Sequence, residues 1–193
     1  YFNFPPEQKD PRYVTMVYGG GINYHRGLQT VIEALQILPE KIPNIRLWIT
    51  GPGSYTGRLK QLAAEKGVES YVTFNERMPL EELLKQISRA DIALIPHLKT
   101  AHTDSTIPHK LFQYMYAGIP IIASDCAPLK RIIEETATGL CFRNQDPLSF
   151  AETVEQLMGD PAFREKIPAN GKKWVEKKYN WASDASVLCA LYS

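Results

Sequence analysis

The sequence predicts an α/β protein: a Rossmann-like, three-layer α/β/α unit on a parallel sheet of six strands. Three observations carry that expectation. Short β-rich runs alternate about six times with segments of helical period. Such alternation means a parallel sheet with right-handed crossovers and helices on both faces. The runs also close on glycine- and proline-rich turns, Gly19-Gly20-Gly21, Gly51-Pro52-Gly53 and Gly118-Ile119-Pro120, which punctuate passages between elements. Finally, 193 residues with 44% apolar and 22% charged side chains suit one domain with a sizeable core.

Residues 13–18, bounded by Pro11 and Gly19, read as the first strand. After the three glycines and I-N-Y-H-R-G comes a helix carrying Leu28, Val31, Ile32, Leu35 and Leu38 on one face, the 3.6-residue period of an amphipathic helix. Pro43 breaks the chain before a second strand at 46–50, and a helix over about 55–66 ends at Gly67. Residues 71–74 are a third strand with a polar exit loop at 75–78, and Leu80, Leu83, Leu84 and Ile87 form the face of the next helix. Asp91 precedes a fourth strand at 92–96. Residues 103–124 give a polar loop, a helix, a Gly-Ile-Pro turn and a buried fifth strand. L-K-R-I-I-E-E is a short helix, and 139–142 the sixth strand. Asp146-Pro147 and Asp160-Pro161 each read as an N-cap followed by proline at the first helical position. The first of these helices carries Phe150, Val154, Leu157 and Met158; the tail is helical, interrupted near Asn180-Trp181. Trp48, Trp174 and Trp181 are expected in the core or at helix seams.

Composition excludes several classes. A net charge of +1 with no basic run gives no electrostatic case for nucleic acid or an acidic membrane. The longest apolar stretches are far too short to span a bilayer, and no signal peptide is visible. Cys126, Cys141 and Cys189 are widely spaced and form no C-x-x-C pair, so reduced, cytosolic thiols are expected. His25, His97, His102 and His109 match no metal-ligand spacing and lack an acidic or cysteine cluster. No P-loop, G-x-S-x-G or H-E-x-x-H occurs. The opening Y-F-N-F-P-P-E is linker-like and lacks methionine, which leads us to expect a fragment of a longer protein.

In an open parallel sheet, ligands sit past the carboxyl ends of strands near helix N-termini. The loop after the fourth strand is therefore the first candidate site. It offers Asp104, Ser105, Thr106 and Ile107, then Lys110 about one turn into a helix and Gln113 on nearly the same face. Ser105 and Thr106, preceding Pro108, suit a helix's first turn, where backbone N–H groups attract an anion. The same residues also read as a cap with solvated Lys and Gln. Gly20 and Gly21 lie in a strand-to-helix turn that either admits a phosphate close to the backbone or is a flexible connection; the spacing fails G-x-G-x-x-G. Arg26 can pair with a phosphate bidentately or stand solvated. Gly51 and Gly53 line a cleft or simply make a turn.

The ordered motifs resemble a known family. G-G-I-N-Y-H-R-G-L, R-L-W-I-T-G-P-G, V-T-F-N-E-R-M-P-L-E-E-L, A-D-I-A-L-I-P, P-H-K-L-F-Q-Y-M-Y-A-G-I-P-I-I-A-S-D, T-G-L-C-F and Y-N-W-A-S-D-A together are similar to the C-terminal, donor-binding domain of a GT-B glycosyltransferase of family 4, the "glycosyl transferases group 1" type. The resemblance covers nearly the whole chain. It implies a linker at 1–12 from an N-terminal domain, a nucleotide-sugar-binding domain at 13–178, and a C-terminal helix at 179–193 that crosses back. It implies that Arg26 falls on the second of two basic residues gripping the donor diphosphate. Gly21 falls on the first, so the turn arginine is absent, and Lys110 or backbone contacts compensate or diphosphate binding is weaker. The family's two acidic residues, eight apart, fall on Ser105 and Gln113; Asp104 adjoins the first, and glutamine can still hydrogen-bond ribose hydroxyls. The nucleobase is implied to lie against 51–53 and 75–78, near Arg77.

The implied chemistry is retaining transfer from a nucleotide sugar to a glycan or lipid-linked acceptor, in surface polysaccharide synthesis. No metal or other cofactor takes part. Arg26, Lys110 and Ser105 are at the chemistry, and Gly20, Gly21, Gly51, Gly53, Arg77, Asp104, Thr106, Ile107 and Gln113 around the donor. The partners implied are a nucleotide-diphospho-sugar and an N-terminal acceptor domain, with no nucleic acid and no membrane-spanning segment, in a cytoplasmic or membrane-peripheral protein. By itself the chain is expected to bind donor weakly and turn over nothing. A sugar-nucleotide epimerase of the same architecture and a module that has lost donor binding remain alternatives.

Overall fold

A computed structural model describes residues 7–191. Residues 1–6 of the expected linker, and 192–193 at the end of the expected C-terminal helix, lie outside the described residues. The strands are β1 (Val14–Gly19), β2 (Ile45–Thr50), β3 (Val72–Asn75), β4 (Ile92–Ile95), β5 (Ile121–Ser124) and β6 (Gly139–Phe142). They form one parallel sheet in the order β3-β2-β1-β4-β5-β6. The helices are α1 (Leu28–Ala34), α2 (Leu38–Lys41), α3 (Thr56–Glu65), α4 (Leu80–Ser88), α5 (Lys110–Ala117), α6 (Ala127–Thr136), α7 (Pro147–Gly159), α8 (Pro161–Lys177) and α9 (Trp181–Leu191). The chain starts mid-sheet at β1, moves out to β3, returns through α4 to β4 beside β1, and then moves out the other way. The chains leaving β1 and β4 therefore diverge, and a crevice opens at their carboxyl ends.

Both sheet faces are covered, which is why β1 and β4 read as nearly unbroken apolar runs. Met16, Tyr18, Leu47, Ile49, Ile92, Leu94 and Ile122 pack with Leu28, Val31, Ile32, Leu59, Phe150, Val154 and Leu157. Val17, Ala93, Ile95, Ile121 and Ala123, from the alternate positions, pack with Leu111, Met115, Leu129, Ile132 and Ile133 on the opposite face. Asp146 and Asp160 cap α7 and α8, accepting from Ser149 N at 2.9 Å and Phe163 N at 2.8 Å. The α8 backbone lies so close to α5 that a Cβ on Gly171 would be 2.1 Å from the Met115 carbonyl oxygen.

Three expectations are corrected. The helix expected to carry Leu28 through Leu38 stops at Ala34 and resumes as α2. Pro39 in an unbroken helix would clash with the Leu35 carbonyl four residues back; the break avoids this while all five apolar residues stay buried. Leu80, expected on the packed face of its helix, is exposed at the start of α4; Leu84 and Ile87 are the buried members. Trp181, expected in the core or a seam, is 74% exposed at the start of α9.

Candidate functional site

The crevice between β1 and β4 is built from turns pressed against each other. Gly20 N donates to Thr50 O at 2.9 Å and Ile22 N to Pro52 O at 2.8 Å, so the exits of β1 and β2 run side by side. A Cβ on Gly51 would lie 2.2 Å from Gly20 O, and one on Gly53 1.8 Å from Ile22 O. Glycine is needed at both positions for this approach of two backbones. The chain then makes a single 3-10 turn, Tyr24–Arg26, and passes through Gly27 at φ +70. A Cβ on Gly27 would be 1.7 Å from Pro96 O, and Leu98 N donates to His25 O at 2.9 Å. The first turn is thereby fastened to the exit of β4.

That fastening brings Arg26 to His97. Arg26 Nη1 donates to His97 Nε2 at 3.1 Å. The arginine is a permanent donor, so Nε2 is the acceptor and the proton of the neutral ring sits on Nδ1. His97 is buried, and its carbonyl accepts from Ser124 Oγ at 2.6 Å and Asn144 Nδ2 at 2.8 Å. Burial first, then the charges of Lys110 and Arg26, push its pKa down to about 3, which keeps the ring a neutral acceptor.

Lys110, the first residue of α5, reaches the same place. Its Nζ stands 3.7 Å from the centroid of the Tyr18 ring, and a Cβ on Gly20 would be 2.9 Å from it. Tyr18 Oη donates to Gly21 O at 2.7 Å, and Gly19 N donates to Tyr114 Oη at 3.1 Å. Lys110 Nζ and Arg26 Nε are buried with no hydrogen-bond partner among the described residues. Burial, followed by the charge of Arg26, holds the Lys110 pKa well below the ordinary ammonium range. Buried polar groups are nearly always paired, and buried cations need an anion. Lys110 Nζ against Gly20, and Arg26 Nε on the guanidinium that Nη1 fastens to His97, are thus two cationic donors with bonding capacity left over near the N-terminus of α5, the charge and geometry that suit an anion.

The other expected residues do not all converge here. Asp104 Oδ1 accepts from Ala127 N at 2.7 Å, at the start of α6. Ser105 Oγ donates to Ala101 O at 2.7 Å and Thr106 Oγ1 to His102 O at 2.8 Å. Both hydroxyls thus close the loop on itself. The expectation that they sit in the first turn of α5 is corrected: the helix starts at Lys110 with His109 at its N-cap. Ile107 is exposed. Gln113 was expected on nearly the same face as Lys110. Lys110 instead turns back to β1, while Gln113 lines a cavity of about 490 Å³ with His109, Phe112, Tyr179 and Trp181. Gly20, Gly21, Gly51 and Arg77 line a cavity of about 250 Å³. Gly51, Gly53, Asn75 and Arg77 line an adjoining one of about 360 Å³, so the two loops expected to flank a nucleobase do meet. Among the described residues no group of three His, Cys, Asp or Glu is arranged to hold a metal.

Sequence reasoning missed Tyr18, His97 and Tyr114. His97 carried a usable signal: it follows Pro96 at the exit of β4, where the switch point of this topology falls.

The chain belongs to the glycosyl transferases group 1 family, whose model matches residues 2–174. It is 29% identical over 185 residues to an uncharacterized glycosyltransferase of Methanocaldococcus jannaschii, covering 96% of this chain and 45% of that protein. It is 28% identical over 186 residues to a D-inositol 3-phosphate glycosyltransferase of Corynebacterium efficiens, covering 92% of this chain and 42% of that one. The chain thus spans under half the length of these relatives. Among solved structures, HepE of Anabaena in complex with UDP superposes with a TM-score of 0.79 at 14% identity, over 94% of this chain and 49% of that one. The Rossmann-like sheet is accordingly the one found in glycosyltransferases of GT-B architecture. No helix among the described residues is long and apolar enough to cross a membrane.

Proposed function

We propose that this chain is the donor-binding half of a retaining glycosyltransferase, taking a hexosyl group from a nucleotide-diphospho-sugar and passing it to a glycan or lipid-linked acceptor in surface polysaccharide synthesis. One observation carries the reading: among the described residues, Lys110 Nζ, lying against Gly20, and Arg26 Nε, beside His97, are buried without a hydrogen-bond partner. A diphosphate supplies the counter-charge they lack. As the glycosidic bond breaks, negative charge develops on the leaving diphosphate, and fixed cations there stabilise the transition state. The base lies against the cavities at Gly51, Gly53 and Arg77. In this reading no metal ion takes part, and an N-terminal domain outside the chain supplies the acceptor site. The unpaired Cys126, Cys141 and Cys189 fit a cytoplasmic setting.

Asp104 and Ser105 make their hydrogen bonds inside the protein, which favours a second reading, a module without donor binding. Calorimetric titration with UDP, GDP and their sugar conjugates, with and without EDTA, decides between them. The donor reading expects binding that chelation leaves unchanged; no heat from any of them at millimolar concentration would sink it. Turnover assays on the full-length protein with an acceptor distinguish transfer from epimerisation.

A further inference from the structure

Lys110 sits where an ammonium is hard to keep charged. Its Nζ is buried and has no hydrogen-bond partner among the described residues. The charged and titratable groups beside it are Tyr18 from β1, Arg26 from the 3-10 turn and His97 after β4; His25 and His102 act in turn on His97, and Tyr114 follows one turn on along α5 itself. None is a carboxylate. Asp104, the one acidic residue between positions 97 and 109, gives its carboxylate to Ala127 N. The hydroxyls of Tyr18 and Tyr114 stay protonated, because burial raises the pKa of the first and pushes that of the second up to about 12. The Tyr18 ring favours a cation modestly, whereas desolvation and the Arg26 guanidinium oppose one. A diphosphate seated against Gly20 reverses this balance by supplying opposite charge next to Nζ. An arginine at the same place would stay charged in both states.

Resting on the donor reading above, we infer that Lys110 is a proton-linked ligand: it is neutral when no anion lies beside it and takes up a proton from solvent when a nucleoside diphosphate binds. Binding and protonation then favour each other reciprocally. Donor affinity falls as pH rises, by up to about tenfold per pH unit in the window between the two protonation midpoints.

Two measurements on this chain test the inference. Titration with UDP and GDP in buffers of different ionisation enthalpy gives the protons taken up per ligand. The expected value for the native chain rises towards about one in the pH window between the two protonation midpoints and falls towards zero for Lys110→Met and Lys110→Arg. Nuclear magnetic resonance of chain labelled at lysine Cε gives the second. One lysine should titrate well below the ordinary midpoint of about 10.4, vanish in Lys110→Arg, and move upward when UDP or pyrophosphate is added. If nucleotides bind with no proton uptake, or every lysine titrates normally, the inference falls and the donor reading stands. If calorimetry shows no binding by UDP, GDP or pyrophosphate, the donor reading falls and takes the inference with it.

Discussion

Replacing Arg26 with alanine separates a ligand-binding arginine from a structural one, because the two roles give opposite signatures. Among the described residues the guanidinium makes one side-chain hydrogen bond, to His97 at 3.1 Å, while its Nε is buried and unpaired. Losing the bond leaves the buried His97 Nε2 without its donor, at about 1–3 kcal/mol, and removing the unsatisfied Arg26 Nε returns a similar amount, about 1–3 kcal/mol. The two terms cancel to within about 1 kcal/mol, so Tm stays within about 2–4 °C of native for a chain of this size. With a nucleoside diphosphate bound, the same substitution removes a charged hydrogen bond of about 1.5–3 kcal/mol, a loss of about 10- to 150-fold in Kd. Thermal denaturation followed by circular dichroism, alongside calorimetric titration with UDP and GDP, measures both. A fall in Tm beyond about 6 °C with unchanged Kd would refute the reasoning and make Arg26 a structural residue.

Further predictions concern the frame around that pair. Gly27→Ala forces a side chain into φ +70 and against the Pro96 carbonyl at 1.7 Å; it should cost at least about 3 kcal/mol, read as a Tm lower by about 6–12 °C, and a Tm within about 2 °C of native would refute it. Asp104→Ala removes an acceptor at the start of α6 and should cost about 1 kcal/mol while leaving nucleotide-sugar affinity unchanged; a tenfold weaker Kd would instead make Asp104 a donor ligand. His97 is held neutral when folded, with its pKa down to about 3, whereas an unfolded histidine protonates near pH 6.5. Its contribution is therefore complete above about pH 6.5 and is lost as pH falls towards about 3, at about 1.4 kcal/mol per pH unit. Denaturant melts from pH 7 to 4.5 should show this slope and a shallower one for His97→Asn; equal slopes would remove His97 from the account.

Much of the architecture is written locally. Val14–Gly19 and Ile92–Ile95 are recognisable because burial on both faces demands unbroken apolar residues. Asp146 and Asp160 announce the starts of α7 and α8 because a cap is a contact within four residues. Gly67 and Gly118, both at positive φ, announce helix ends for the same reason. The break at Leu35 was legible too, since Pro39 stands four residues on. The loops at Gly51 and Arg77 met as expected because both follow neighbouring strands of the sheet.

What the tertiary structure alone decided is which polar groups meet. Arg26 and His97 are 71 residues apart in sequence and touch because the sheet order sets β4 beside β1. Asp104, Ser105 and Thr106 looked like parts of one ligand patch, yet Asp104 reaches α6 while both hydroxyls fold back on their own loop. Lys110 and Gln113 looked like neighbours on one helix face, yet the long lysine turns back under Gly20 and the glutamine faces the junction of α8 and α9. Periodicity and capping are properties of a few consecutive residues and can be read from order alone. An unpaired buried cation is a property of everything packed around it, and no stretch of sequence records which of its possible partners the fold has placed elsewhere.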